Sequence, residues 1–114
     1  MKKKLFATLV ALTISMPALS QQSTTFGDPD CGEWIAAQRQ NSRYNAWLVG
    51  YMSGLNFMYD NLRHYDKKEP MPNYLGSVSS AQQIFLWVDN YCQKNPLRTV
   101  GEAGVELMVE LSNK

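Results

Sequence analysis

Few residues in this chain of 114 residues have the chemistry of a catalytic site. The one histidine, His64, stands beside Tyr65 and Asp66 in a polar stretch. As a general base it would need a nucleophile placed beside it by the fold. Ser53 lies in a segment with helical periodicity, unlike the strand-to-helix turn that carries a nucleophilic serine. No glycine-rich phosphate loop is present, so the sequence predicts a protein that is not an enzyme and holds no cofactor.

The first twenty residues have the pattern of a secretory signal peptide. Lysines at positions 2–4 precede an apolar stretch, residues 5–15, that is too short to span a bilayer comfortably. Ala18 and Ser20 are small residues at the −3 and −1 positions, which predicts cleavage of residues 1–20 before Gln21. An uncleaved membrane anchor is the alternative. The leader has a bacterial form, so we expect a periplasmic protein.

The mature chain is small and slightly acidic. Residues 21–114 comprise 94 residues, which is one domain at most. Without the three leader lysines, the 11 Lys and Arg fall to eight, against ten Asp and Glu. The absence of a basic patch argues against a nucleic acid partner. No other stretch approaches the roughly 18 apolar residues of a membrane span.

The two cysteines, Cys31 and Cys92, have three possible roles: a disulfide, a reactive free thiol or part of a metal site. A metal site takes more ligands than two cysteines and one histidine supply. Small exported domains are often stabilised by disulfides, because their cores are small. We therefore predict a Cys31–Cys92 disulfide and no metal. The disulfide would join the start of one helix to the end of another.

Hydrophobic periodicity predicts an all-α fold, a small four-helix domain over residues 30–114. Residues 21–29 are polar with Gly and Pro, which is typical of a flexible N-terminus. Asp30 is expected to cap a first helix that ends near Gln40. A second, amphipathic helix is predicted over residues 43–62, with Met58 and Leu62 in its apolar stripe.

Capping motifs place the other two helices. Ser79 and Gln82 have the spacing of a capping box before the third helix. Asn95–Pro96 is expected to end that helix, because the residue before a proline avoids the helical region. Thr99 and Glu102 form a second capping box, and the last helix is predicted from about Val100 to Leu111.

Large and small residues suggest how the helices pack. Gly50 and Gly54 lie on one face of the second helix, where each costs up to about 1 kcal/mol against alanine. We expect another helix or a bulky ring to approach them. Asn56 and Asp89 lie among apolar neighbours and are expected to bond the end of a neighbouring helix. The aromatic side chains predicted for the core are Trp34, Trp47, Trp87, Tyr51 and Tyr91.

Residues 63–78 are predicted to form a loop with two prolines and a charge cluster. Sixteen structureless residues is long for a small domain, and long loops are often functional. We therefore take Arg63, His64, Tyr65 and Tyr74 as candidate partner-binding residues. The alternative is a surface connection whose aromatic residues pack onto the core.

Three motifs resemble a known group of proteins: CGEW at 31–34, AWLVGYMSGLN at 46–56 and WVDNYCQKNPL at 87–97. In this order they are similar to small periplasmic helical proteins that include the Tai/Rap immunity proteins of type VI secretion. More loosely, the chain resembles the acid-stress chaperones HdeA and HdeB, which share a cysteine pair and an Asn-Pro after the second cysteine.

The resemblance implies a role for the residues in these motifs. Those that carry over are Cys31 and Cys92 as the disulfide, Trp47, Gly50, Gly54 and Trp87 as packing positions, and Asn95–Pro96 as the helix break. For the immunity proteins it implies neutralisation of a peptidoglycan-cleaving toxin by a surface loop.

Three functions are compatible with these observations. The first is a protein that binds a periplasmic partner such as a secreted toxin. The second is a chaperone that acid switches on, because protonated carboxylates leave the domain positively charged and able to expose apolar surface to an unfolded client. The third is an envelope accessory protein with an unassigned partner. A homodimer is compatible with all three.

Overall fold

The computed structural model describes residues 24–67 and 73–114, and this part of the chain is all-α. The helices are α1 (Cys31–Ala37), α2 (Ser42–Lys67), α3 (Ala81–Lys94) and α4 (Val100–Ser112), with a short 3₁₀ helix (Tyr74–Ser77) before α3. An isolated bridge between Asp30 and Thr99 is the only β pairing in the described residues. The predicted fold class is therefore confirmed. The predicted leader, residues 1–20, lies outside the described residues.

A capping box begins α1, as the sequence predicts. The Glu33 backbone N–H donates to the Asp30 side chain at 2.7 Å, and the Asp30 N–H donates back to the Glu33 carboxylate at 3.2 Å. The helix ends at Ala37, earlier than predicted. Gln38 and Arg39 take left-handed backbone with φ of 46° and 63°, which stops the helix and turns the chain towards α2.

The predicted loop over residues 63–78 is wrong at both ends. Helix α2 continues to Lys67, because nothing before the proline at 70 disfavours helix. Residues 68–72 lie outside the described residues. Asn73 then caps the 3₁₀ helix through its side chain, which accepts from the Gly76 N–H.

The two later capping predictions have opposite outcomes. The Thr99–Glu102 box is present at the start of α4, with the Glu102 N–H donating to Thr99 Oγ1 at 3.2 Å. The Ser79–Gln82 box is wrong, because α3 begins after Ser80 and the Ser79 N–H instead donates to Gln83 Oε1 at 2.7 Å. Helix α3 ends immediately before Asn95–Pro96, as predicted.

Residues Phe26–Pro29 form an N-terminal strap across α2 and α4. The Trp47 indole N–H donates to the Phe26 carbonyl at 2.7 Å, and the Gly101 N–H donates to Asp28 Oδ1 at 2.8 Å. Asp28 thereby supplies negative charge at the positive end of α4. The prediction of a flexible segment over residues 21–29 is wrong from Phe26 onward, because the strap is bonded to α2 and α4. Residues 21–23 lie outside the described residues.

The core lies between the helices and is held by the predicted disulfide. Cys31 and Cys92 are buried, with Sγ atoms 2.09 Å apart and Cα atoms 4.9 Å apart. Trp34 is buried as predicted, whereas the other four predicted core aromatic residues are half-buried and flank the core. The remaining buried apolar residues are Leu48, Met52, Leu55, Ile84, Phe85, Val88, Val100, Ala103, Leu107, Met108 and Leu111.

Helices α2 and α4 pack against each other, with a close approach at Gly104. A Cβ on Gly104 would lie 3.0 Å from Met52 Sδ and 3.1 Å from Tyr51 Cε1, so a side chain there would crowd α2. Further along, the 3₁₀ helix contacts both α2 and α4. Among the described residues, no helix combines the length and apolar character needed to cross a membrane.

Candidate functional site

Asp89 joins the end of α1 to α3 through a half-buried network. The Trp34 indole N–H donates to Asp89 Oδ1 at 2.7 Å, and Arg39 donates through Nε and Nη2 to Oδ2, with the Nε bond at 3.0 Å. Both carboxylate oxygens are thus occupied, although a cavity of about 340 Å³ lies beside them. The prediction that Asp89 bonds a neighbouring helix end is confirmed, and the network fixes α1 on α3.

Asn56 has the corresponding role between α2 and the 3₁₀ helix. Its Oδ1 accepts from the Leu75 N–H at 3.1 Å, and its Nδ2 donates to Asn73 Oδ1 at 3.1 Å. These bonds hold the 3₁₀ helix, which leads into α3, against the side of α2. Both polar residues that sequence reasoning placed among apolar neighbours therefore position elements.

The described residues assemble no recognisable reactive centre. Ser53 Oγ donates to the Val49 carbonyl at 2.8 Å, within its own helix. No group of three or more His, Cys, Asp and Glu side chains in this part of the chain is placed to hold a metal. His64 lies on α2 and not in a loop.

Gly50 and Gly54 face solvent, so the predicted close approach at these glycines is wrong. A Cβ on either would meet no atom of the described residues within 4 Å. The reason is helical geometry: Leu48 and Met52 direct the opposite side of α2 into the core. The glycine at which a neighbouring helix does approach closely is Gly104 on α4, which meets Tyr51 and Met52 of α2.

The tryptophans of the predicted packing motif contact neighbouring side chains at the edge of the core. Trp47 stacks on Tyr51 with ring centroids 4.8 Å apart, and Trp87 stacks on Tyr91 at 5.7 Å. The Trp87 indole N–H donates to Glu110 at 2.8 Å, which joins α3 to α4. Both tryptophans therefore have a packing role, but Gly50 and Gly54 of the same predicted motif do not share it.

The four candidate partner-binding residues do not share a loop. Arg63, His64 and Tyr65 lie on α2, while Tyr74 begins the 3₁₀ helix. The Tyr74 ring meets Tyr59 edge-to-face with centroids 6.5 Å apart, so it packs onto α2. Tyr65 is 83 % exposed.

Tyr65 belongs to an exposed apolar surface on the second half of α2. We call Phe57, Met58, Leu62 and Tyr65 the free α2 face; each of these side chains is at least 47 % exposed.

The sequence contained part of this signal. Met58 and Leu62 fit the predicted amphipathic stripe, and the structure leaves them 47 % and 58 % exposed. Phe57 lies outside that stripe and is 71 % exposed. Phe57 thus adds to the exposed apolar side chains of Met58, Leu62 and Tyr65 on the same helix.

Two carboxyl groups near these helices have shifted pKa values. Burial raises the pKa of the Asp60 carboxyl on α2, and its Oδ1 has no hydrogen-bond partner among the described residues. The backbone N–H of Thr99 donates to Glu102, which lowers the pKa of that carboxyl. Protonation in acid therefore favours the folded state at Asp60 and disfavours it at Glu102.

No protein-family model matches the chain, and comparisons with curated proteins and with solved structures return no match. The function has to be inferred from the chain's own residues. Among the described residues, the free α2 face places four exposed large apolar side chains within less than three helical turns.

Proposed function

We propose that this protein is a non-enzymatic binding protein of the bacterial periplasm and that the free α2 face contacts its partner. The observation that carries the proposal is the exposure of four large apolar side chains on one short stretch of helix. Single exposed apolar residues are ordinary, but clusters of them mark interaction sites. Phe57 and Tyr65 are aromatic, the residue class that supplies many interface anchors.

The partner we propose is a secreted peptidoglycan-degrading toxin, which the protein neutralises by binding. The leader pattern and the resemblance to Tai/Rap immunity proteins support this role. The proposed contact now centres on the last turns of α2 instead of a loop, and it still includes Tyr65. Arg63 and His64 lie on the same turns.

Replacing Leu62 by aspartate is expected to weaken toxin binding at least 30-fold, about 2 kcal/mol, because it puts a charge into the buried centre of the contact. Leu86→Asp is the matched control, since Leu62 is 58 % exposed and Leu86, on α3, is 56 % exposed. The measurement is inhibition of peptidoglycan hydrolysis by the secreted cell-wall hydrolases of the source bacterium, each mixed with the mature, oxidised protein.

Two results would contradict this proposal in different ways. If the unaltered protein inhibits none of these hydrolases at equimolar concentration, the immunity role is wrong. If it inhibits one and the two variants lose inhibition equally, binding is real but the free α2 face is not the contact.

A second candidate function is an acid-activated chaperone, and one specific observation favours it. The Glu102 carboxylate holds the start of α4 by accepting from the Thr99 N–H, and its pKa is lowered, so its protonation in acid removes stability there. Acid would then loosen the start of α4 while the disulfide keeps α1 on α3.

The signs of the two shifted pKa values define a test of this loosening. Glu102 has a lowered pKa, so its contribution to stability is present above the ordinary glutamate value of about 4.3 and is lost as pH falls through the folded value. Asp60 has a raised pKa, so its contribution is present at low pH and is lost as pH rises through the folded value.

Glu102→Gln is therefore expected to flatten the fall of unfolding free energy between about pH 5 and pH 3. Glutamine keeps a capping box but does not titrate. Glu106→Gln, one turn along on an exposed carboxylate, is the control and should keep the original slope. Urea unfolding across this pH range measures both, and equal slopes in the two variants would refute the assignment.

The chaperone role itself needs client protection at low pH. The mature protein should expose dye-binding apolar surface reversibly at about pH 2–3 and keep an unfolded client from aggregating. Acid unfolding without client protection would rule this function out.

A further inference from the structure

Asp60 on α2 carries a carboxyl group that is buried on one side without a partner. Its Oδ1 has no hydrogen-bond partner among the described residues. Its Oδ2 lies 3.5 Å from Asn56 Nδ2, longer than an ordinary hydrogen bond. None of the ion pairs among the described residues includes Asp60. Burying a carboxylate oxygen without a donor is unfavourable, so this position accommodates the ionised form of Asp60 poorly.

Asn56 connects Asp60 to the 3₁₀ helix. Its Oδ1 accepts from the Leu75 N–H, and its Nδ2 donates to Asn73 Oδ1, each at 3.1 Å. The same Nδ2 group faces Asp60 Oδ2. A change of charge at Asp60 therefore acts on the amide that holds the 3₁₀ helix against α2.

Among the described residues, burial and not a neighbouring charge is the cause of the raised pKa of the Asp60 carboxyl. Arg63 and His64 follow Asp60 by three and four residues along α2, and their side chains lie outside the described residues. The titratable groups on the elements packed at this junction are Tyr59 on α2, Tyr74 on the 3₁₀ helix, and Glu110 and Lys114 in the C-terminal segment, which line a cavity with Ser77 at the far end of the 3₁₀ helix.

We propose that Asp60 is a pH-sensitive latch between α2 and the 3₁₀ helix, closed in acid and loosened as its carboxyl group ionises. The protonated carboxyl group is neutral and fits its buried position, while the Asn56 amide holds the 3₁₀ helix. The ionised group needs water at Oδ1. Because Oδ1 is inaccessible to water in the closed latch, its hydration requires neighbouring groups to move away. Local openings of this kind occur well below the free energy of global unfolding.

The pH dependence of the latch follows from the raised pKa of Asp60. In the open latch the carboxyl group has the ordinary aspartate value of about 3.9, and in the closed latch its pKa is higher, so closing takes up a proton. The latch is therefore tightest below about pH 4 and loosens as pH rises through the folded value. Glu102 has the opposite sign, so acid tightens the 3₁₀ helix on α2 while it loosens the start of α4.

An open latch changes the surface of α2. The Tyr74 ring meets the Tyr59 ring edge-to-face in the closed latch. Tyr59 lies three residues before Leu62, so the two side chains are neighbours on the helix. Release of the 3₁₀ helix therefore adds the Tyr59 ring to the exposed apolar side chains beside Leu62. The latch goes beyond the proposed function and does not rest on it.

Amide hydrogen exchange followed by NMR tests the latch on the full mature, oxidised protein. The Leu75 N–H donates to Asn56, so its protection, relative to the intrinsic exchange rate at each pH, reports how much of the latch is closed. We expect this protection to fall about threefold or more between about pH 4 and pH 7. In Asp60→Asn, which does not ionise, protection at neutral pH should stay at its value in acid.

Two further variants serve as controls, and circular dichroism checks that each is folded. Glu106→Gln removes an exposed carboxylate of α4 outside the junction and should keep the pH dependence of the unaltered protein. Asn56→Ala removes the amide between Asp60 and the 3₁₀ helix. Protection of the Leu75 N–H should then be low and equal at both pH values.

Three results would overturn the inference. Equal pH dependence in Asp60→Asn and in the unaltered protein would show that another group titrates. A pH dependence that persists in Asn56→Ala would show that Asp60 does not act through this amide. Protection that rises with pH would show that ionisation closes the junction. None of these measurements needs a toxin, so failure of the immunity role leaves the latch standing, and loss of the latch leaves the immunity role untouched.

Discussion

Loss of the Cys31–Cys92 disulfide is expected to lower the free energy of unfolding by about 4 kcal/mol. The bond closes a loop of 61 residues, so in the unfolded chain it removes much of the available conformational entropy. Small domains have about 5–15 kcal/mol of stability in total, and a four-helix domain of this size is near the lower end. Much of the population should therefore unfold at 37 °C when the bond is absent.

The measurement is urea unfolding of the mature protein and of a Cys31→Ala, Cys92→Ala double variant, followed by circular dichroism. Alanine is preferred to serine because both positions are buried and a hydroxyl there would lack a partner. Reductant should destabilise the unaltered protein and leave the double variant unchanged. A loss below about 1 kcal/mol would contradict the chain-entropy explanation.

Asp89→Ala should destabilise the fold by about 3 kcal/mol, the second-largest effect we expect. The substitution leaves the buried Trp34 indole N–H without its acceptor and Arg39 without its charge partner. Arg39 also has left-handed backbone, which the contact with Asp89 helps to hold. Asp89→Asn retains an acceptor for the indole and should lose only about 1 kcal/mol.

Thermal and urea unfolding measure both Asp89 variants. Asn90→Ala is the control, because it changes the next residue of α3 at an exposed position and should stay within about 0.5 kcal/mol of the unaltered protein. If Asp89→Ala is no worse than this control, the network has no structural role. Because the disulfide also fixes α1 on α3, the two losses are not expected to add.

Local chemistry made much of the fold predictable. The Asp30 and Thr99 caps need only residues three positions apart, and Asn95–Pro96 stops a helix whatever surrounds it. The left-handed Gln38 and Arg39 were not predictable, since neither residue type favours that conformation. Arg39 is held there partly by Asp89, fifty positions away along the chain.

The candidate site was predictable only in part, because exposure depends on a second helix. Periodicity shows that Met58 and Leu62 belong to an apolar stripe of α2, but not how far that stripe is covered. Coverage is decided by which elements pack on α2, such as α4 at Gly104 and the 3₁₀ helix at Tyr74. Gly50 and Gly54 were misjudged for the same reason, since spacing alone does not say which face of a helix meets the core.

Covalently, the oxidised protein is a ring with two tails. The ring runs from Cys31 to Cys92 and contains α1, α2 and most of α3, whereas α4 lies entirely in the C-terminal tail. A peptide-bond cut inside the ring leaves both fragments attached through the disulfide. A cut after Asn95 detaches α4, the helix that packs on Met52 through Gly104, while the ring stays closed.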